Sequence, residues 1–187
     1  MIDLRTSREL AAYGSFAGDA VTLHHLPPFE DGVQAPPPVQ ASDPEPPPGE
    51  VYLQIALNGA PRLTEALRAI ATGEYALVFH CAAGKDRTGI LAALLLSVLG
   101  VPDEAIVADY HLSERSLQPA EAWAEVNDAE WIAWMRTVPP WLLRSPPQVM
   151  QAFLGLLRET HGSVAAYLEA NGLEPEVVGA LRERLLE

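Results

Sequence analysis

Hydrophobic residues are spaced in two ways along this chain, and the change of spacing divides it. Residues 75–79, Tyr-Ala-Leu-Val-Phe, form a short apolar run with aromatic and β-branched members, which predicts a buried strand. Residues 90–99 are apolar on every side apart from Ser97 and rich in helix formers, which predicts a buried helix. Near the start, Ile2 and Leu4 alternate with polar residues and predict another strand, followed by a short helix capped by Thr6 or Ser7. Residues 21–26 predict a second strand that ends on His24-His25 and runs into Pro27-Pro28. Two helical pieces, 50–60 and 61–72, are expected on either side of a break at Asn58-Gly59. Pro61 suits a first helical turn and Gly73 a stop.

Beyond residue 99 the strand-like spacing does not return. Gly100-Val101-Pro102 ends the buried helix, and 103–114 reads as an amphipathic helix with Ile106, Val107 and Tyr110 inward. Residues 118–138 carry Trp123, Trp131, Trp134 and Met135 at helical spacing, which predicts core packing, and Pro139-Pro140-Trp141 closes that segment. Ser145-Pro146-Pro147-Gln148 has the form of a capping box and opens a helix reaching His161-Gly162. Residues 163–168 and 175–186 predict two more helices. Strands mixed with helices, then helices alone, give an α/β domain. Its central, mostly parallel sheet is flanked by helices, and its C-terminal part is helical. No internal repeat is present.

Composition narrows the class. With 187 residues and 49% hydrophobic content, one domain over 1–187 has enough chain for a sizeable core. A net charge of −13 argues against nucleic acid or an anionic membrane surface as a standing partner. No apolar run reaches spanning length, so no stable membrane insertion is expected. A single cysteine permits no intramolecular disulfide and suits a reducing compartment. A cytoplasmic location is therefore expected, with secretion without a signal peptide left open. The five histidines are scattered with no zinc-like spacing, and neither metal nor cofactor is expected. Between Pro27 and Pro48 lie nine of the 17 prolines, with acids interspersed, so 27–50 is expected to be a flexible, solvated loop. A mobile flap offering Asp31 or Asp43 as a general acid is the sharper alternative.

The chemistry concentrates between the predicted strand and helix, in residues 80–89: His80-Cys81-Ala82-Ala83-Gly84-Lys85-Asp86-Arg87-Thr88-Gly89. It holds the only cysteine and the only lysine. A strand, a Gly-containing turn and a helix place backbone N–H groups at a helix N-terminus, a ready anion site. Five residues separate Cys81 from Arg87, enough for the chain to curl around one tetrahedral phosphate. In that curl the amides from Ala82 to Arg87 point inward, and Gly84 takes whatever φ the curve needs. Arg87 supplies a planar fork for two oxygens. The positive surroundings favour a Cys81 thiolate, the form that acts as nucleophile. Thr88 is placed to donate to the sulfur, and His80 to orient the loop from behind.

Blander readings stand beside this one. A lone cysteine after a buried strand is usually an inert core thiol, but Arg87 and the loop reverse that prior. A nucleotide-binding P-loop fails because Lys85 is followed by Asp86 rather than Ser or Thr, and the first glycine is missing. A sulfur-transferase loop of the rhodanese kind matches less well and lacks the Lys-Asp-Arg run. A redox sensor lacks a resolving cysteine. Lys85 and Asp86 paired only with each other on the surface remains open.

His80-Cys81-x5-Arg87-Thr88 resembles the phosphate loop of cysteine-dependent protein tyrosine phosphatases. The fuller run over 80–89 looks like the bacterial and fungal branch, which acts on phosphotyrosine, in some members phosphoserine or phosphothreonine, and phosphoinositides. The resemblance implies a tyrosine-phosphatase-like fold and a cysteinyl-phosphate on Cys81, with Arg87 holding the transferring phosphoryl group. The branch's aspartate, implicated as acid or base, matches Asp86. Ile2-Asp3-Leu4-Arg5 resembles a strand of the family that is usually followed by a glutamate, here Glu9. Ala108-Asp109-Tyr110 and the Gly162-Ser163-x3-Tyr167-Leu168 element are similar to later family stretches, and Asp109 is expected to partner a loop or an arginine. In the family the Ile-Asp-Leu-Arg strand is interior and follows an Asn-Phe-Arg-Asp-Leu-Gly-Gly-like segment that nothing here matches. A chain lacking it is expected to expose apolar sheet surface and an edge, and so to be marginally stable or to form a homodimer.

The implied activity is metal-independent hydrolysis of phosphomonoesters on a phosphorylated protein or phosphoinositide. Cys81, Arg87 and Asp86 are catalytic in this reading; His80, Ala82, Ala83, Gly84, Lys85 and Thr88 bind phosphate or shape the loop. Lys85 adds positive charge and is expected to reach a second phosphate on a phosphoinositide. The tryptophans of 118–138 offer an alternative role as an aromatic wall for a phosphotyrosine ring or a lipid. A second hypothesis is a catalytically weak or inactive module that binds phospho-ligands without turning them over.

Overall fold

Three short parallel strands set the frame, with β1 (Ile2–Asp3) between β2 (His24–His25) and β3 (Phe79–His80). Ile2 is in register with His24 and Phe79, and Asp3 with His25 and His80. The structure, a computed structural model, describes residues 1–18, 20–30, 49–74, 76–137 and 143–186, without the side chains of Leu117, Gln118 and Trp134. Asp31, Asp43 and most of the proline-rich stretch lie outside the described residues, as do Tyr75, Pro139-Pro140-Trp141 and the side chain of Trp134. The helices described are α1 (Ser7–Tyr13), α2 (Glu50–Thr72), α3 (Asp86–Val98), α4 (Asp103–Leu112), α5 (Glu114–Asn127), α6 (Ala129–Met135), α7 (Pro147–His161), α8 (Val164–Ala170) and α9 (Pro175–Leu186). This is the α/β arrangement expected, a small parallel sheet among helices with a helical C-terminal part.

The core forms where the apolar stripes of α2, α3 and α7 meet β1. Ile2, Leu4, Leu63, Leu67, Ile90, Leu91, Leu94, Phe153 and Leu157 are all fully buried there. Tyr167 of α8 joins them and donates its hydroxyl to the Ala56 carbonyl at 2.6 Å, so its one polar atom is satisfied. At the chain start the Asp3 carboxylate receives the Arg5 backbone N–H and its guanidinium fork, both residues being buried. That pair fixes the turn from β1 into α1. Among the described residues no helix is long and apolar enough to cross a membrane.

Several expectations change in three dimensions. The strand expected to be buried over 75–79 is reduced to β3 at a sheet edge, and Val78, just before it, is 63% exposed. β2 is likewise shorter than 21–26, and Val21 is exposed. The break at Asn58-Gly59 does not occur, since α2 runs through Gly59 and Pro61 without interruption. Gly59 is there for room: a Cβ would sit 2.5 Å from Pro28 Cβ and 2.7 Å from its carbonyl oxygen. Pro61 removes one helical rung, and the Thr64 hydroxyl, 3.0 Å from the carbonyls of Ala60 and Pro61, holds the next turn.

Two C-terminal readings also shift. Trp123 is not core; it projects from α5, whose partners are α4 and α6 and which fully buries Ala124. The capping box at Ser145 does not form, and Pro146 is the N-cap of α7. Ser145 gives both its N–H and its hydroxyl to Glu114, so the N–H that the Gln148 side chain would accept in a capping box is already taken by a charged acceptor.

Replacing Gly59 by Ala tests the helix–loop contact. Alanine is the better helix former by about 1 kcal/mol, yet overpacking against Pro28, which costs roughly 1–3 kcal/mol, should leave a net loss of up to about 2 kcal/mol. Urea denaturation of the variant should show a lowered midpoint, and an unchanged one would contradict the packing account.

Candidate active site

β3 delivers Cys81 to the C-terminal end of the sheet, where it is 4% exposed. The chain then turns through the exposed residues Ala82, Ala83 and Gly84, with Gly84 at φ +66°, and enters α3 at Asp86. Lys85 is the N-cap and makes no side-chain cap bond. Among the described residues no protein acceptor pairs with the amides of residues 82–88; the first bonded amide is Gly89, on the Lys85 carbonyl at 2.9 Å. Unbonded N–H groups at the start of a helix carry its positive dipole end and can receive an anion.

Arg87 lies beside this loop, and its orientation comes from the segment that follows β1 at the same end of the sheet. Its Nη1 and Nη2 donate to Glu9 Oε2 and Oε1 at 2.5 and 2.8 Å, and Nη1 also reaches the Leu4 carbonyl at 3.3 Å. A guanidinium has five donors. Three are thus engaged, leaving Nε–H and one Nη2–H, which share the opposite edge. Phe29 lies against the guanidinium face, 5.4 Å from its carbon. Burial works against the charge on Arg87, but the bonds to Glu9 and the charges of Cys81, Glu9 and Asp86 outweigh it and raise its pKa further. Arg87 is therefore a fixed cation with one bidentate edge unengaged among the described residues.

Glu9 is the residue that spacing did not place here. It is the third residue of α1 and completes a capping box with Thr6, accepting the Thr6 N–H at 2.7 Å while Thr6 Oγ1 accepts the Glu9 N–H at 3.2 Å. One carboxylate thereby starts a helix and orients the arginine. The sequence signal was Thr-x-x-Glu, legible as a helix start and as a family likeness. Burial pushes Glu9 up, yet Arg87 and the Thr6 N–H hold its carboxyl below the usual range.

Asp86 and Lys85 behave differently from expectation. Lys85 is 3% exposed and its ammonium is bound to Asp86 Oδ1. A buried ammonium needs a partner, so Lys85 is not extended toward a second phosphate. The same Oδ1 accepts the Tyr52 hydroxyl at 2.5 Å, and Tyr52 Oη lies 2.8 Å from Tyr110 Oη. Lys85 and Asp86 do pair, but as part of a half-buried cluster with two tyrosines that sequence spacing had not linked to the loop.

His80 lies at the end of β3, directly before the loop. Its Nδ1 is 3.1 Å from the Cys81 carbonyl, which can only accept, so the proton sits on Nδ1. Its Nε2 lies 3.8 Å from Asp3 Oδ2, and its ring meets Phe16 at 5.3 Å. Thr88 does not bond to the sulfur; its hydroxyl is buried with no partner among the described residues, held by a β-branched side chain inside the first turn of α3. Asp109 is exposed and makes no bond among the described residues; its neighbour Tyr110 points inward instead.

The Glu9–Arg87 pair predicts an acid limb of stability. Glu9 has a lower pKa folded than unfolded, so the unfolded chain takes up its proton first as pH falls. Its contribution is complete above the unfolded value of about 4.3 and disappears as pH drops through the folded value. Urea midpoints measured from neutral pH into this range should fall less steeply for Glu9→Gln than for the parent chain. Parallel curves would refute the coupling.

Comparisons with known proteins agree with the geometry. The profile of the tyrosine phosphatase family matches residues 1–187. A tyrosine-protein phosphatase of Nostoc commune is 32% identical over 142 residues, covering 73% of this chain and 48% of that protein. The triple specificity protein phosphatase PtpB of Mycobacterium tuberculosis is 30% identical over 139 residues, covering 69% of this chain and 50% of that protein. The chain thus spans about half the length of these relatives. A thiol at a strand end, an open helix N-terminus and an arginine with one free edge are what this match would require, and the chain belongs to the tyrosine phosphatase family.

Proposed function

We propose that this chain hydrolyses phosphomonoesters on tyrosine, and by extension on serine or threonine, through a cysteinyl-phosphate on Cys81. The observation that carries the reading is the convergence, within one turn of chain, of a thiol, unbonded amides over 82–88 and the free edge of Arg87. In the first step the Cys81 thiolate forms an S–P bond while the bond from phosphorus to the leaving oxygen breaks. Asp86 as carboxylic acid gives its proton to that oxygen. In the second step water attacks phosphorus and passes a proton to the Asp86 carboxylate, and the S–P electron pair returns to sulfur. Arg87 and the amides stabilise the charge on the equatorial oxygens in both steps, which is most of what phosphoryl transfer asks of a protein.

Arg87 and the loop amides supply this positive charge themselves, so the proposed reaction needs no metal. The names of the two relatives, a tyrosine and a triple specificity phosphatase, support a phosphoprotein substrate. A phosphoinositide receives less support, because the cation expected to meet a second phosphate, Lys85, is committed to Asp86.

Hydrolysis of p-nitrophenyl phosphate with EDTA present, beside Cys81→Ser, tests the proposal. Turnover should survive chelation and fall by at least about a thousandfold in the serine variant, as loss of an activated nucleophile does. A folded chain that binds phosphate or vanadate without turnover would replace the enzyme with a binding module.

A further inference from the structure

The hydrogen-bond cluster behind the loop has a direction. Asp86 Oδ1 receives two donors, the Lys85 ammonium and the Tyr52 hydroxyl. A tyrosine has one proton to give. Tyr52 spends it on Asp86, so the 2.8 Å contact behind it must be Tyr110 O–H donating to Tyr52 Oη. The chain therefore runs from Tyr110 to Tyr52 to Asp86. It ends on Oδ1, while Oδ2 has no partner among the described residues, and the Asp86 side chain keeps 31% of its surface exposed.

Both tyrosines are held by rigid elements. Tyr52 on α2 is 1% exposed and Tyr110 on α4 is 4% exposed, with ring centroids 6.0 Å apart at 89°. Phe153 of α7 closes the other side of Tyr52 at 6.2 Å. Gly89, the last residue of the loop motif, gives Tyr110 its place: a Cβ there would come within 3.1 Å of the Tyr110 ring. Burial, and next the Asp86 charge, raise the Tyr52 pKa well above the ordinary value; burial raises that of Tyr110 despite its bond to Tyr52. Both hydroxyls stay protonated wherever the domain works.

We propose that Tyr52 and Tyr110 are positioning residues for Asp86: their hydroxyl relay pins Oδ1 and so presents Oδ2 to the leaving-group oxygen. The inference rests on the phosphatase reading above and adds a division of labour within one carboxylate. It explains why the first residue of α3 sits at the end of a relay built from two separate helices.

Leaving groups provide the test. Phenyl phosphate needs its departing oxygen protonated, whereas p-nitrophenyl phosphate largely does not. In the full chain, Tyr52→Phe should lower kcat/KM for phenyl phosphate about tenfold, a fraction of what general acid catalysis supplies. The loss on p-nitrophenyl phosphate should stay under about twofold, with competitive inhibition by inorganic phosphate unchanged. In an Asp86→Asn background the same change should add nothing, since the group it positions is gone. Tyr110→Phe should act in the same direction and more weakly, and it decides the matter if Tyr52→Phe fails to fold. Equal losses on both substrates, or a loss that persists with Asp86→Asn, would show that the tyrosines only stabilise the fold. Parent-chain turnover with no effect of either tyrosine overturns this inference alone, while a parent chain inactive on both substrates overturns the phosphatase reading with it.

Discussion

A guanidinium can face a phosphate squarely only if something else holds it from behind, and in this chain that is Glu9. The carboxylate takes one edge of Arg87, and the Nε edge has no partner among the described residues. It also accepts the Thr6 N–H, so its own position is fixed by the start of α1. The start of α1 is fixed in turn by the buried Asp3–Arg5 pair at the end of β1. Sheet, helix start and arginine form one electrostatic series. Charge-assisted bonds of this kind are shorter and more directional than neutral ones, which suits a group whose value lies in its aim.

The loop applies the same logic to a carboxylate. Asp86 is gripped through one oxygen by a cation and a hydroxyl whose carriers are both buried. Burying Lys85 would be costly without that partner, and Asp86 would be free to rotate without Lys85 and Tyr52. The site is thus braced on two sides by groups outside its own loop. Helices α2 and α4 brace the aspartate, and α1 braces the arginine.

How far the sequence displayed this depends on distance along the chain. Residues 80–89 were legible because their chemistry is local: a strand end, a turn and a helix start within ten positions. The strand at Ile2 and the helices of the second half were legible from periodicity. What could not be read were partners joined only by folding, such as Glu9 with Arg87 or Tyr52 with Asp86, since spacing carries no signal across such separations. Local signals also misled where tertiary packing prevailed. Asn58-Gly59 looked like a break, but the glycine makes room for Pro28; Ser145 looked like a cap, but Glu114 claims it. Val78 looked buried because apolar runs usually are, but it lies outside β3 and its side chain is exposed.

α1 buries none of its residues, although its Glu9 carries the arginine. A seven-residue helix without an apolar anchor lies at the low end of the range of opening energies within a fold. The core of α2, α3 and α7 does not depend on it. Each local opening of α1 would release Arg87 from its partner while leaving the hydrophobic core closed. For the reaction proposed above, the aim of Arg87 would then follow a small sub-global equilibrium at α1, separable from the stability of the core.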